Sequence, residues 1–78
     1  MRTKIVEQEI DNFAHNVKFL REKHNISKTK MAQMLGVSFK SLNKIENGQI
    51  PKRLSVGIVF RIEQYFGVKC HLLFKEQF

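Results

Sequence analysis

The sequence is poor in the features that define secreted, membrane-spanning or disordered chains. It has one cysteine, Cys70, so no disulfide forms within the chain, and we expect an intracellular, reducing location. Apolar runs reach only three residues, as in Ile58–Phe60, against the roughly 18 that span a bilayer. No apolar stretch follows the basic start, so no signal peptide is expected. Four glycines and one proline are too few for a flexible linker.

Acidic residues are also scarce, seven against 14 basic ones, which gives a net charge of +7. Between Arg21 and Arg53 the chain has eight basic and only two acidic residues, and thus +6 of that excess. A concentrated positive charge favours a polyanion partner, nucleic acid more often than an anionic membrane surface. The basic residues cluster across a turn and a loop and not along one amphipathic helix, so no membrane partner is predicted.

No catalytic or metal-binding pattern is found in the 78 residues, which suffice for one small domain without a deep active site. The histidines, His15, His24 and His71, lack the spacing of metal ligands, and no serine lies near both a histidine and the only aspartate, Asp11. We therefore predict a protein that is not an enzyme and that needs no metal or cofactor.

Helical periodicity begins near Asn12, after a polar stretch (1–10) that we predict to be an arm or a helical extension of the domain (11–78). The first helix has an apolar face formed by Phe13, Val17 and Leu20. We predict its N-cap at Asp11 or Asn12 and a left-handed stop at Asn25. A second helix is capped by Ser27 and ends at Gly36. A third, capped by Ser38, covers 39–46 and ends at the Asn47-Gly48 turn.

Two further helices complete the prediction. Ser55 is expected to cap a fourth helix that ends at Gly67 and turns Val56, Val59, Ile62 and Phe66 inward. A fifth covers 68–75, with Cys70 and Leu73 in the core and Phe74 as a further candidate. In no stretch do apolar and polar residues alternate for long enough to predict a strand. The class is therefore all-α, with about five short helices in one domain.

The second and third helices flank a tight glycine turn, and this arrangement defines a helix-turn-helix. Ala32 is small enough for the helices to approach, Gly36 suits a left-handed backbone, and Val37 and Leu42 fill the angle. The segment Ser27-Lys28-x-x-Met31-Ala32-x-x-Leu35-Gly36-Val37-Ser38, with Leu42-x-x-Ile45-Glu46-Asn47-Gly48, resembles the Cro/C1-type (XRE, phage lambda repressor-like) family. The later Phe66-Gly67-Val68 and Leu73-Phe74 resemble its closing helix, so the resemblance covers about 17–74.

The resemblance implies a compact five-helix domain that binds double-stranded DNA, usually as a homodimer, and most often represses transcription in the cytoplasm of a prokaryote or a phage host. It implies that the third helix faces DNA, with Phe39, Lys40 and Lys44 at base edges and Asn43 between them on the rim. Phosphates would be held by Lys28 at the start of the second helix, and by Asn47, Lys52 and Arg53 after the third. The DNA-binding residues so identified are Lys28, Ser38, Phe39, Lys40, Asn43, Lys44, Asn47, Lys52 and Arg53. Glu46 is expected to be structural, paired with a basic residue of an earlier helix.

The third helix departs from the family in having neither arginine nor glutamine, the residues that most often make paired base contacts there. Lysine reaches guanine as a flexible point charge, and Phe39 offers only apolar contact, best with a thymine methyl. Specificity is therefore expected to be modest or to depend on DNA shape.

Apolar residues near the C-terminus predict a self-association surface, for which the candidates are Phe60, Leu72, Phe74 and Phe78. Three functions remain open at this point. The chain is a promoter-occluding repressor, an antitoxin that also binds a toxin and its own promoter, or a protein-interaction module that keeps the fold without binding DNA.

Overall fold

The computed structural model describes residues 4–49 and 56–78, with side chains from Glu7 onward. The described chain forms five helices, and they are α1 (Lys4–Lys23), α2 (Lys28–Leu35), α3 (Phe39–Glu46), α4 (Val56–Phe66) and α5 (Cys70–Lys75). The described residues contain no strand. The all-α five-helix prediction is confirmed, and the bounds of α3 agree with it.

The first helix is longer than predicted, because it begins at Lys4 and runs for 20 residues. Asp11 and Asn12 therefore lie inside α1, and the prediction of an N-cap at either is wrong. Asn12 is buried and donates from Nδ2 to the carbonyl oxygen of Phe74, 2.9 Å away. Its side chain hydrogen-bonds to α5 and does not cap the start of a helix. Asn25, with φ of 58°, is left-handed as predicted.

The core lies between the five helices, and α1 packs chiefly against α5 and α3. Apolar side chains from all five helices fill it, and the most buried are Phe13, Val17, Leu20, Met31, Ala32, Leu35, Leu42, Ile45, Ile58, Ile62 and Leu73. Removing apolar surface from water stabilises the folded state by roughly 25 cal/mol per Å². The core is therefore the main source of stability.

The inward face of α4 differs in part from the prediction. Val56 is 83% exposed, whereas Ile58 and Ile62, four residues apart on one face, are buried. Val59 and Phe66 pack against the edge of the core. The face that packs is centred on the Ile58–Ile62 pair, which leaves Val56 in the first turn pointing to solvent. Ser55 lies outside the described residues.

The prediction that Cys70 is a core residue is wrong, since Cys70 is exposed. The fifth helix begins at Cys70 and not at residue 68, so Cys70 occupies the first turn, ahead of the point where α5 meets the core. Val68, in the extended segment before α5, packs against the core instead. Leu73 is fully buried, as predicted.

A buried asparagine of α1 binds the end of α5. Asn16 Nδ2 donates to the carbonyl oxygen of Leu73 at 2.8 Å and to that of Glu76, while its Oδ1 accepts from the backbone nitrogen of Phe78 at 2.8 Å. The last carbonyls of a helix have no partner within it, so the bond to Leu73 satisfies a buried group that would otherwise be unpaired. The hydrogen bonds of Asn16 fix the chain end against α1.

Candidate nucleic-acid interface

Local sequence signals define the bounds of α2 and α3. Ser27 Oγ accepts from the backbone nitrogen of Lys30 at 3.1 Å, and Ser38 Oγ accepts from that of Ser41 at 3.0 Å. Both serines are N-caps, as predicted. Gly36 ends α2 with φ of 72°, a left-handed conformation that costs other residues about 1–2 kcal/mol. The turn between α2 and α3 therefore begins with the predicted left-handed glycine, Gly36, and ends with the predicted N-cap, Ser38.

The two faces of α3 are sharply different. Leu42 and Ile45 are almost fully buried against the core. On the opposite side Lys40 and Lys44 are exposed, and Phe39 is 50% exposed although it is a large apolar residue. Val37 in the turn packs at the core edge. The helix thus presents two ammonium groups and an aromatic ring to solvent from a rigid, buried base.

A buried ion pair fixes the C-terminal end of α3. Arg21 of α1 donates from Nε to Glu46 Oε2 at 2.8 Å and from Nη2 to Oε1 at 3.1 Å. The side chains of Arg21 and Glu46 are only 12% and 4% exposed. Hydrogen bonding to Glu46 raises the pKa of Arg21 despite the opposing effect of burial. The predicted structural role of Glu46 and its pairing with an earlier helix are confirmed.

A second polar contact joins α2 to the outer side of α3. Lys28 Nζ donates to Asn43 Oδ1 at 2.8 Å, and both residues are half-buried. This bond leaves two ammonium hydrogens of Lys28 for another partner. Lys28 therefore contacts the third helix directly and remains placed to bind an anion beside it.

The remaining sequence-predicted residues lie around this face or outside the description. Ser38 is exposed and donates from Oγ to Ser41 Oγ. Asn47 is exposed at the C-cap of α3, where its backbone nitrogen bonds to carbonyls of that helix. Lys52 and Arg53 lie outside the described residues. The structure thus brings Lys28, Ser38, Phe39, Lys40, Asn43, Lys44 and Asn47 onto α2, α3 and their junctions, and their contact with DNA stays a prediction.

One residue near this site was missed at the sequence level. Arg61 of α4 lies with its guanidinium over Gly36, so close that a Cβ at Gly36 would collide with it. The left-handed φ is the reason that glycine suits this position, because the guanidinium of Arg61 is the far end of an exposed side chain and can move aside. No local pattern in the sequence pairs residues 36 and 61, because the contact arises only when α4 packs beside the turn.

The four residues proposed for self-association do not form one patch. Phe60 on α4 is 56% exposed. Leu72 and Phe78 line a groove of about 340 Å³ beside Phe19 and Val68. Phe74 stacks on the core residue Phe13 with ring centroids 4.8 Å apart. Phe60 lies on α4, Leu72 and Phe74 lie on α5, and Phe78 follows the end of α5. Phe74 packs within its own chain.

Residues 4–49 and 56–78 contain neither a cluster of metal ligands nor a membrane-spanning helix. Within these ranges no three histidine, cysteine or acidic side chains come together as a metal site would require. No helix in the same part of the chain is both long and apolar enough to cross a membrane.

Comparison with known proteins supports the geometry. A family model described as helix-turn-helix matches residues 17–73. A protein of Methanocaldococcus jannaschii named as an HTH-type transcriptional regulator is 33% identical over 60 residues, which cover 77% of this chain and 88% of that protein.

A protein of Pyrococcus furiosus named as an HTH-type transcriptional regulatory protein is 43% identical over 47 residues. These cover 60% of this chain but only 14% of that larger protein. No solved structure matches at a significant level. With its five helices, its capped α2–turn–α3 unit and these relatives, the chain belongs to the Cro/C1-type (XRE) helix-turn-helix family of transcriptional regulators.

Proposed function

We propose that the chain binds double-stranded DNA in a sequence-specific manner as a small homodimer and represses transcription by occluding a promoter. The observation that carries this proposal is the outer face of α3, where Lys40 and Lys44 are exposed on a helix whose other face is buried. Two like charges four residues apart repel each other, so a bound phosphate or guanine would relieve a cost that the free protein bears.

Each proposed contact follows from a side chain's position. Lys40 and Phe39, in the first turn of α3, would enter a major groove about 12 Å wide and reach base edges. Lys28 and Asn47 would bind phosphates on either side of the groove, because they lie at the start of α2 and the end of α3. Lys52 and Arg53 are proposed as further phosphate contacts from sequence alone.

The homodimer is proposed because one helix-turn-helix reads only a short half-site. Two recognition helices would enter successive major grooves about 34 Å apart. Phe60 is the apolar candidate with the greatest exposure of the four, so it is the first residue to substitute in an oligomerisation assay. A shift from dimer to monomer in sedimentation of Phe60→Ser is expected if α4 forms the interface.

The experiment that tests the proposed function is selection of bound duplexes from a random DNA library at about 150 mM salt, repeated at low salt. A motif with two half-sites spaced by about one helical turn is expected. Retention at low salt without a motif would reduce the function to phosphate binding. Failure to bind at either salt would refute the proposal and favour a protein-interaction module.

Charge reversal on α3 tests the placement of the site on the selected DNA. We expect Lys40→Glu with Lys44→Glu to weaken binding at least a hundredfold, because each change removes a cation from the proposed DNA-facing side of α3 and adds an anion there. The matched control is Lys18→Glu with Lys75→Glu, which makes the same change in net charge at exposed positions of α1 and α5. Equal loss in both variants would show that only net charge matters and would refute the placement.

A further inference from the structure

The outer surface of α3 is unusual in the hydrogen bonds that it leaves available. Glu46 offers little to a ligand, because its side chain is only 4% exposed and its carboxylate binds Arg21. Ser38 Oγ accepts from the backbone of Ser41 and donates to its hydroxyl. Lys40 and Lys44 are donors only. Asn43 is the residue of α3 that has a side-chain amide. Whether it offers a ligand hydrogen-bond donors or an acceptor depends on which end of this amide faces outward.

The contact with Lys28 decides that orientation. An ammonium group has three donors and no acceptor, so the atom of Asn43 that lies 2.8 Å from Lys28 Nζ is the amide oxygen. The amide nitrogen then points elsewhere, and within the described residues it has no hydrogen-bond partner. Its two hydrogens are available to a ligand that approaches α3 from outside.

Adenine and guanine differ in what they would require of this amide. An asparagine that reads adenine donates to N7 and accepts from the N6 amino group, whereas guanine presents two acceptors, N7 and O6. The amide oxygen keeps a second lone pair, but the amino hydrogens of adenine would have to share this oxygen with the Lys28 cation. Lys40, one turn earlier, and Lys44, the next residue, add positive charge on the same helix. The acceptor edge of guanine is attracted by the same groups that disfavour the amino group of adenine.

We propose that Asn43 reads guanine and not adenine, and that Lys28 is the positioning residue that makes it a donor. This inference rests on the proposed function, since it concerns the base that α3 selects. It assigns Lys28 a role in specificity beyond phosphate binding. Within each half-site, one position is therefore guanine because of Asn43.

The test is duplex selection at about 150 mM salt with the wild type and a set of variants. Asn43→Ala identifies the position that Asn43 reads, because that position becomes degenerate. The wild type is expected to have guanine there and to lose about tenfold in affinity when guanine is replaced by adenine. Lys28→Met, which removes the ammonium group but keeps an apolar stem, is expected to admit adenine at that position. Lys28→Arg retains a donor-only cation and is expected to preserve guanine.

The matched control is Lys30→Met, which removes an exposed charge from the same helix without touching α3. It is expected to weaken all sequences alike and to keep guanine at the Asn43 position. Circular dichroism checks that each variant is folded. Adenine at that position in the wild type, a motif unchanged by Asn43→Ala, or guanine retained by Lys28→Met would each overturn the inference while leaving the proposed function intact. A wild type that selects no motif would overturn both.

Discussion

The ion pair between Arg21 and Glu46 predicts a large stability effect from a residue outside the proposed DNA interface. In Arg21→Met the long apolar stem remains, but the carboxylate of Glu46, only 4% exposed, loses both its hydrogen bonds to the guanidinium. Removing one partner of a buried pair costs about 3–5 kcal/mol, because the other charge stays buried and unpaired. Arg21 is 12% exposed, so we expect the lower end, about 3 kcal/mol.

That loss is a large part of the whole for a domain of this size. At about 0.05–0.15 kcal/mol per residue, 78 residues give roughly 4–12 kcal/mol of stability. A change of 3 kcal/mol would lower Tm by about 12–24 °C at the 4–8 °C per kcal/mol typical of such domains. The measurement is urea denaturation followed by circular dichroism at 222 nm, with the free energy of unfolding extrapolated to water.

Two further variants separate a buried unpaired charge from a general effect of substitution. Lys18→Met makes the same chemical change on the exposed side of α1 and is expected to alter stability by less than about 0.5 kcal/mol. Arg21→Met with Glu46→Met removes both charges and is expected to be more stable than Arg21→Met alone. If Arg21→Met costs under about 1 kcal/mol, or if the double variant is no more stable than Arg21→Met alone, the pair does not hold α3 as reasoned.

Two shorter predictions concern the turn and the free thiol. Gly36→Ala and Gly67→Ala both place a Cβ on a left-handed backbone, but only at Gly36 would it meet the guanidinium of Arg61. That guanidinium is the far end of an exposed, flexible side chain and can move aside at little cost, so both variants are expected to lose about 1–2 kcal/mol of stability by urea denaturation. A clearly larger loss for Gly36→Ala than for Gly67→Ala would contradict this reasoning. Cys70 is exposed, so native protein is expected to react with a thiol reagent as fast as unfolded protein. Protection of Cys70 in the native state would show that α5 begins earlier than the structure has it.

The helix-turn-helix was predictable because its signals are local. Ser27 and Ser38 are capping residues next to helical periodicity, and Gly36 supplies the left-handed turn between them. Each of these conformations is dictated within about one turn of the chain. The bounds of α3 and the burial of Leu42 and Ile45 followed from those signals.

The errors occurred where packing between distant segments overrides local preference. Asn12 has the character of an N-cap, yet its amide serves a carbonyl of α5 that lies 62 residues away in sequence. Cys70 has helical spacing to Leu73, but Val68 packs against the core in its place, and Cys70 in the first turn of α5 stays exposed. The packing of α1 against α5 determines the environments of both Asn12 and Cys70, and helical periodicity in the sequence does not reveal this packing.

The polar contacts of α3 explain how a small core can still hold the outer face of this helix in one orientation. Leu42 and Ile45 bury one face but allow the helix to rotate slightly about its axis, because apolar contacts are not directional. The bond from Arg21 to Glu46 restrains the C-terminal end, and that from Lys28 to Asn43 restrains the outer side. These two directional contacts come from different helices, so rotation of α3 would have to break at least one of them. The orientation of α3 therefore depends on four polar side chains as much as on its apolar face.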